Sequence, residues 1–187
     1  MSFNTVTEFE NKIAEFYGAP YAVAVDCCTH GVELCLRYND LHWLTVPCRT
    51  YLSIPMLAQK LDIGLTFTDE EWKDYYEIGG WIGKATGVID AAVFWKRDRY
   101  IPGKFMCLSF QFQKHLSLGR GGMILTDDKD AALTLKKMSY DGRIPNVPPE
   151  TAQLGLNKLD EAINTTPREW TVYDWPNLRN MEIFNNE

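Results

Sequence analysis

The sequence predicts an α/β fold with a mostly parallel sheet flanked by helices. Two observations carry this prediction: short apolar runs of strand length alternate with amphipathic stretches of helical spacing, and the alternation continues through most of the chain. Such alternation is typical of a parallel sheet with crossover helices. With 187 residues, of which 45% are hydrophobic, the chain can form one sizeable core.

The first half begins with an amphipathic helix over residues 5–18. Its apolar residues recur at helical spacing, a Thr5/Glu8 capping box opens it, and Gly18 ends it. After this helix, buried strands alternate with helices. The predicted strands are 21–25, 42–47 and 63–69, and the predicted helices are 31–38 and 50–61.

The second half begins where the pattern lapses: residues 70–86 are aromatic and glycine-rich without a clear period, which predicts an irregular connection. From Asn164 onward the chain is polar with scattered tryptophans. The sequence therefore predicts one domain over residues 1–163, trimmed between about 70 and 86, and a polar C-terminal extension over 164–187. The other elements are strands 86–92, 104–110 and 121–126, helices 128–140 and 150–163, and a proline-rich turn 144–149.

Charge and cysteine usage restrict the class of partner. The net charge is -6, and the sequence has no basic stripe that could bind nucleic acid or an anionic membrane. The N-terminus has no signal-like region and no apolar run is long enough to cross a bilayer, so we expect a cytoplasmic protein with reduced thiols and no membrane partner. The five cysteines and three histidines lack metal-ligand spacing, so no metal site is predicted.

Three loops that follow predicted strands carry groups able to do chemistry. Cys28 and Thr29 open a helix, whose N–H groups and dipole suit a phosphate. Asp90 ends a strand, and Lys114 lies between two strands in CLSFQFQKHLSLGRGGMILT. Each signal has a structural alternative: a threonine that caps a helix, an aspartate that forms a turn, and a lysine on a solvated hairpin loop. Together they are the parts that pyridoxal phosphate requires.

Several motifs resemble the DegT/DnrJ/EryC1/StrS family of sugar aminotransferases, which use pyridoxal 5'-phosphate. YAVAVDCCTHGVEL is similar to the family's AVAVSSGTAAL element, and VIDAA resembles its EDAA element. CLSFQFQKHLSLGRGGMILTDD is similar to FSFxxxKNxxxxxGG-V-TDD, with the serine, lysine, double glycine and TDD in register. The resemblance runs from about residue 5 to 163. It implies a large domain of the pyridoxal-phosphate transferase type with the C-terminal small lobe largely absent.

The resemblance assigns catalytic roles to Lys114 and Asp90. Lys114 would bind the cofactor covalently and act as the base, and Asp90 would pair with the ring nitrogen of the cofactor. The reaction implied is transfer of an amino group from an amino acid, glutamate, to a keto sugar linked to a nucleotide. The resemblance also implies a homodimer whose subunits share their active sites, because enzymes of this type complete each site with residues from a second subunit.

Five further residues are assigned to the cofactor by the same resemblance. Cys28, Thr29 and Ser109 would surround the phosphate. Tyr51 would stack on the ring, with a core tyrosine as the alternative. Asn146 lies near the point where the family presents an asparagine to the phosphate of the neighbouring subunit, with a turn asparagine as the alternative.

The sequence departs from the family at several positions and leaves other functions open. Val93 stands where relatives have glutamine or histidine, and His115 and Arg120 replace an asparagine and usually an acid. A cofactor enzyme with another outcome, such as a decarboxylase, dehydratase or racemase, shares the same parts. A non-catalytic protein that keeps the fold as a binding or regulatory partner is a second alternative. A third is a plain nucleotide or sugar-phosphate site with Lys114 as a point charge, although the spacing of a phosphate loop is missing.

Overall fold

The computed structural model describes residues 3–140 and 146–184. In this part of the chain, helices and strands alternate along the first half and strands dominate the middle. The elements are α1 (Phe3–Tyr17), β1 (Tyr21–Val25), α2 (Cys28–Tyr38), β2 (Trp43–Pro47), α3 (Ser53–Leu61), β3 (Gly64–Thr68), β4 (Tyr76–Gly79), β5 (Ala85–Asp90), β6 (Phe105–Ser109), β7 (Gly122–Thr126), α4 (Lys129–Tyr140) and α5 (Pro149–Asn164).

The strands form one sheet in the order β1-β7-β6-β5-β4-β2-β3. The β2/β3 and β5/β6 pairs are parallel, and the other pairs are antiparallel. Following these pairings across the sheet shows that β1, β2, β3, β5 and β6 run in one direction, and β4 and β7 run in the other. The prediction of a mostly parallel sheet flanked by helices is confirmed in the strand directions, and the carboxyl ends of five strands meet at one edge.

Two elements differ from the sequence prediction. The segment predicted as an irregular connection contains β4, whose alternating burial at Tyr76 and Ile78 extends over only four residues before a register shift at Gly79. An alternation of four residues is too short to indicate a strand in a segment that is rich in aromatic residues. The Thr5/Glu8 capping box is also wrong, because α1 already begins at Phe3 and Thr5 lies inside it. The predicted turn 144–149 lies partly outside the described residues, and Pro149 already belongs to α5.

Helices cover both faces of the sheet. On one face, α1 and α5 pack against it with a core that includes Phe9, Ile13 and Leu159. The approach of these two helices is close, because a Cβ built on Gly155 would lie 2.5 Å from Phe9 Cε2. The other face is covered by α2, α3 and α4. None of the helices in the described ranges is long and apolar enough to cross a membrane.

The polar C-terminal segment returns across the carboxyl ends of the strands. Trp170, Val172 and Leu178 are buried there. The N–H of Leu178 donates to the carbonyl oxygen of Cys48 at 2.8 Å, and Arg49 Nη1 donates to the carbonyl oxygen of Trp175 at 2.9 Å. The segment after α5 therefore packs against the loop that follows β2.

Candidate active site

A cavity of about 420 Å³ opens at the carboxyl ends of β1, β2, β5 and β6. This is the edge of an α/β sheet at which ligands bind. Most of the residues predicted for the cofactor line it together, and these are Cys28, Thr29, Tyr51, Asp90, Ser109 and Lys114. Asn146 does not belong to the lining.

Lys114 lies in the loop between β6 and β7 and is partly buried. Its backbone N–H donates to the carbonyl oxygen of Gln111 at 2.9 Å. Its Nζ lies 5.1 Å from the ring centroid of Trp170 and 5.4 Å from that of Trp175, within range for cation–π contacts. Burial lowers the pKa of Lys114, while the nearby Cys28 and Asp90 act in the opposite direction. The structure does not place this side chain on a solvated hairpin loop.

Asp90 ends β5 and is only 7% exposed. Its Oδ1 accepts a hydrogen bond from the N–H of Ala92 at 3.0 Å, and its Oδ2 accepts one from the hydroxyl of Tyr76 at 3.0 Å. The same hydroxyl lies 2.6 Å from Oγ1 of Thr50. Burial raises the pKa of Asp90, and the hydrogen bonds and Lys114 reduce the increase. A cationic N–H group in the cavity would offset the remaining cost of the buried charge.

The start of α2 forms one end of the cavity. Cys27 is the N-cap, with extended backbone and no side-chain capping bond, so Thr29 lies inside the first turn and is not the cap. Oγ1 of Thr29 lies 2.6 Å from Oγ of Ser53, the residue that begins α3. Two helix N-termini and a pair of hydroxyl groups therefore meet here, an arrangement that favours a phosphate.

The double glycine of the lysine loop allows close contact with this helix start. A Cβ built on Gly122 would lie 2.6 Å from both the carbonyl carbon of Cys27 and the nitrogen of Cys28. Gly121 has φ +108°, and its N–H donates to the carbonyl oxygen of Asp26 at 2.8 Å. Glycine is therefore required here for both conformation and space. The two glycines therefore allow the lysine loop to lie against the start of α2.

Tyr51 and Asn146 occupy positions unlike those of the other predicted residues. Tyr51 is 45% exposed and makes an edge-to-face contact with Trp175, with ring centroids 5.8 Å apart. Oδ1 of Asn146 accepts a hydrogen bond from the N–H of Val147 at 2.6 Å. Its Nδ2 is buried, with no acceptor within the described ranges. Tyr51 is thus available at the cavity wall, and any role of Asn146 toward a second subunit stays a prediction.

Two further residues at the cavity were missed by the sequence analysis. Tyr76 lies in the segment predicted as irregular, and its alternation with Ile78 is the signal that could have identified it. Trp175 lies in the segment described only as polar, and a tryptophan among polar residues is the corresponding signal. Both line the cavity, and their rings flank that of Trp72.

A cluster of Asp26, Cys27 and His30 was also missed. One potential ligand atom from each lies within 4.8 Å of the other two, and Nδ1 of His30 is 2.6 Å from Oδ1 of Asp26. Hydrogen bonding, first to Asp26 and then to Cys27, raises the pKa of His30 to about 10. A carboxylate, a thiol and an imidazole could together bind a metal ion. A protonated imidazole at a helix N-terminus disfavours a metal cation at this position.

Comparison with known proteins gives the same fold. A DegT/DnrJ/EryC1/StrS aminotransferase from Brucella abortus has a TM-score of 0.71 at 20% identity, over 86% of this chain and 59% of that one. The Helicobacter pylori aminotransferase involved in the biosynthesis of pseudoaminic acid has a TM-score of 0.66 at 13% identity, over 84% and 58%. A sugar aminotransferase from Micromonospora echinospora has a TM-score of 0.66 at 14% identity, over 84% and 60%.

The chain spans only 58–60% of these three structures. No curated protein matches it. The profile of the DegT/DnrJ/EryC1/StrS aminotransferase family, which is dependent on pyridoxal phosphate, matches residues 1–75 and 101–163. These two ranges cover most of the sequence. The chain belongs to the DegT/DnrJ/EryC1/StrS aminotransferase family.

Proposed function

We propose that the protein is a pyridoxal-phosphate-dependent aminotransferase that moves an amino group from glutamate to a nucleotide-linked keto sugar. The observation that carries the proposal is the meeting of three groups in one cavity. These are the partly buried amine of Lys114, the buried carboxyl group of Asp90, and the first turn of α2. An amine, a carboxylate and an anion-binding helix start are the three groups that this cofactor needs.

The donor set fits the cofactor at each end. The first turn of α2, together with the hydroxyl groups of Thr29 and Ser109, would hold the phosphate. Asp90 would pair with the ring N–H, and this contact would offset the burial that raises the pKa of Asp90. When bound, pyridoxal phosphate supplies an electron sink for the bond that breaks at the substrate carbon.

Lys114 is suited to be both the nucleophile and the base. Because burial lowers its pKa, a larger fraction of the side chain is free amine at neutral pH than in an exposed lysine. The rings of Trp170 and Trp175 exclude water from Nζ and limit its movement. We assign to this nitrogen the transfer of the proton to and from the α-carbon of the amino donor.

The charge of the cavity supports anionic substrates. The protein has a net charge of -6, yet three cations, His30, Lys114 and Arg120, line this one cavity together with two carboxyl groups, Asp26 and Asp90. Arg120 is exposed on the lysine loop, where its fork of N–H donors suits a carboxylate or a diphosphate. These cations favour a dicarboxylic amino donor and a nucleotide-linked acceptor over neutral compounds.

We further propose a homodimer in which the subunits share their sites. The family resemblance supports this arrangement, because it places Asn146 near the asparagine that relatives present to the phosphate of the neighbouring subunit, and Asn146 does not line the cavity of its own chain. Light scattering should give twice the mass of 21.5 kDa. A monomer at working concentration would contradict this part of the proposal.

Product analysis tests the reaction. The protein loaded with cofactor should convert labelled glutamate to 2-oxoglutarate, and it should aminate at least one compound in a panel of nucleotide-linked 3-keto and 4-keto sugars. Lys114→Ala should abolish both reactions, whereas Lys129→Ala, which alters an exposed lysine at the start of α4, should not. Release of carbon dioxide, loss of water or racemisation without transfer would identify another cofactor reaction. Cofactor binding without any turnover would favour a binding protein.

A further inference from the structure

Three buried side chains form a hydrogen-bond network that ends at Asp90. Oγ1 of Thr50 lies 2.6 Å from the hydroxyl oxygen of Tyr76, and this oxygen lies 3.0 Å from Oδ2 of Asp90. Thr50, Tyr76 and Asp90 are only 1%, 3% and 7% exposed. Polar groups buried to this extent depend on their protein partners, because water cannot replace a lost hydrogen bond. The function proposed above assigns no role to Thr50.

Three separate parts of the fold position these side chains. Tyr76 begins β4 and Asp90 ends β5, and the two residues pair directly across the antiparallel strands, so their side chains lie on the same face of the sheet. Thr50 lies in the loop between β2 and α3. The indole N–H of Trp72 donates to the carbonyl oxygen of Arg49 at 2.8 Å, and the Trp72 ring lies 5.3 Å from that of Tyr76. These contacts hold the loop beside Tyr76.

The charge of Asp90 determines the direction of both hydrogen bonds. An ionised carboxylate can only accept, so the phenol of Tyr76 donates its single proton to Oδ2 of Asp90. The oxygen of Tyr76 then accepts, and the hydroxyl group of Thr50 donates to it. Burial, followed by the charge of Asp90, raises the pKa of Tyr76 well above its usual range, so the phenol keeps its proton at neutral pH. In such a series, the first hydrogen bond polarises and strengthens the second.

We propose that Thr50 is a positioning residue, whose hydroxyl group directs the proton of Tyr76 toward Asp90 and keeps the carboxylate of Asp90 ionised and oriented toward the cavity. The physical reason is that a charged acceptor binds a proton donor more strongly than a neutral one, so the network stabilises the carboxylate more than the protonated acid. The use of this carboxylate to pair with the ring N–H of the cofactor rests on the proposed function. The network itself can be tested without the cofactor.

Ionisable groups from four elements act on Asp90 and bear on its pH dependence. They are Cys28 from α2, Tyr76 from β4, Cys107 from β6 and Lys114 from the loop between β6 and β7. Burial raises the pKa of Cys28, Tyr76 and Cys107 well above the usual range, so these three groups stay uncharged at neutral pH. Of the four, Lys114 is the one whose charge can change together with that of Asp90. Each titration is therefore repeated in Lys114→Ala, where the same effect of Thr50 is expected.

Carbon-13 NMR of the Asp90 carboxyl group tests the network in the absence of cofactor. The full chain is labelled at aspartate and dialysed against hydroxylamine to remove any carbonyl cofactor, and Asp90→Asn assigns the signal. Thr50→Val and Thr50→Ala should both move the midpoint of the Asp90 titration to higher pH, whereas Thr50→Ser, which keeps a hydroxyl group, should not. Valine keeps the shape of threonine and alanine leaves free space, so a shift in both variants excludes a steric cause.

Thr126→Val is the matched control for this titration. Thr126 is also 1% exposed, but it pairs with Tyr21 at the start of β1, at the edge of the sheet opposite the cavity. This variant should leave the Asp90 midpoint unchanged. A midpoint in Thr50→Ala equal to that of wild type, or a shift in Thr126→Val as large as that in Thr50→Val, would overturn the proposal.

A double variant separates the network from a packing effect. Because Thr50 acts through the phenol of Tyr76, Thr50→Ala should not move the Asp90 midpoint further in a chain that already carries Tyr76→Phe. The same shift in both backgrounds would mean that Thr50 acts on Asp90 through packing, and this result would overturn the proposal.

Cofactor affinity tests the consequence for the proposed function. Near neutral pH, pyridoxal phosphate should bind about tenfold more weakly to Tyr76→Phe and about threefold more weakly to Thr50→Ala than to wild type, because Thr50 only strengthens the bond that Tyr76 makes. Thr50→Ser should restore the affinity of wild type. Unchanged affinity in Thr50→Ala would overturn the positioning role. A wild-type chain that shows the NMR shifts but binds no pyridoxal phosphate would contradict the proposed function and still support the network.

Discussion

The part of the chain that matches the family and the part that does not match contribute differently to the cavity. Residues 1–75 and 101–163 match, and they supply Lys114 and the start of α2, to which we assign the phosphate. The unmatched stretches supply Asp90 with its partner Tyr76, and also Trp175. In the proposed function, the matched part would therefore anchor the cofactor, whereas the unmatched part would set the ionisation and hydration of the groups that react.

The two parts of the cavity differ in how much change their contacts tolerate. A phosphate anchor depends on backbone N–H groups and glycines, whose geometry tolerates little change. The walls of the cavity act through burial, and different side chains can bury the same amine. The segment after α5 is short, yet its tryptophans cover Lys114.

Gly122→Ala tests the anchor and should have the largest effect. The new Cβ would lie 2.6 Å from backbone atoms of Cys27 and Cys28, which cannot move aside as a flexible side chain could. We expect a loss of about 2–4 kcal/mol in the free energy of unfolding, measured with urea, together with loss of cofactor binding. Gly80→Ala is the control, because its Cβ would meet neighbours at 3.4 Å or more and its φ is negative. Equal behaviour of the two variants would contradict this account of the double glycine.

Trp175→Ala tests the wall that the unmatched C-terminal segment supplies. Removing this half-buried ring should cost about 2–3 kcal/mol of unfolding free energy and admit water to Lys114. Since burial lowers the pKa of Lys114, hydration should raise it, and cofactor attachment should require a higher pH. Trp81→Ala removes a 59% exposed tryptophan outside the cavity and should leave the pH dependence unchanged. An unchanged pH midpoint in Trp175→Ala would show that the tryptophan does not desolvate the lysine.

Tyr76→Phe tests the partner of Asp90. The Tyr76 hydroxyl lowers the pKa of Asp90, so its removal should raise that pKa and extend the protonated form to higher pH. The acid limb of cofactor binding should then move to higher pH, and unfolding should become easier by about 1 kcal/mol. Tyr100→Phe removes a hydroxyl that donates to the carbonyl oxygen of Lys104 at 2.8 Å, away from the cavity. Cofactor binding is titrated with pH for both variants and for wild type. Acid limbs that coincide in Tyr76→Phe and wild type would contradict the role assigned to the Tyr76 hydroxyl.

His30→Gln should destabilise the fold by an amount that depends on pH. The pKa of His30 is raised from 6.5 to about 10, so its pairing with Asp26 stabilises the fold fully below pH 6.5. This stabilisation is lost as the pH rises through about 10. The melting temperature of His30→Gln should therefore lie below that of wild type at pH 6, and the difference should shrink toward pH 10. A difference that is constant with pH would mean that the histidine contributes through packing alone.

The sequence was sufficient for the parts whose signals are local. Strand-length apolar runs predicted six of the strands, and the register of Ser109, Lys114 and the double glycine predicted the lysine loop. The structure brings Lys114 and Asp90 into one cavity because Asp90 ends β5, Lys114 follows β6, and both strands end at the same edge of the sheet.

The remaining features depend on contacts between residues far apart in the chain. Tyr76 reaches Asp90 only because β4 pairs antiparallel with β5, and a four-residue strand gives too little periodicity to predict. Trp175 reaches the cavity through backbone contacts of its segment with Arg49 and Cys48, which composition does not encode. The pairing of Asp26 with His30 needed the position at which α2 begins, one of the least certain features of a sequence prediction.

Covalent attachment of the cofactor tests the central claim most directly. Pyridoxal phosphate is added to wild type, Lys114→Ala and Lys129→Ala, and the visible spectrum is recorded before and after reduction with borohydride. We predict a visible band in wild type and Lys129→Ala that Lys114→Ala lacks, with reduction fixing the mass of the cofactor on the peptide that contains Lys114. No band in any of the three proteins, or attachment at another lysine, would contradict the proposal that this cavity is a pyridoxal-phosphate site.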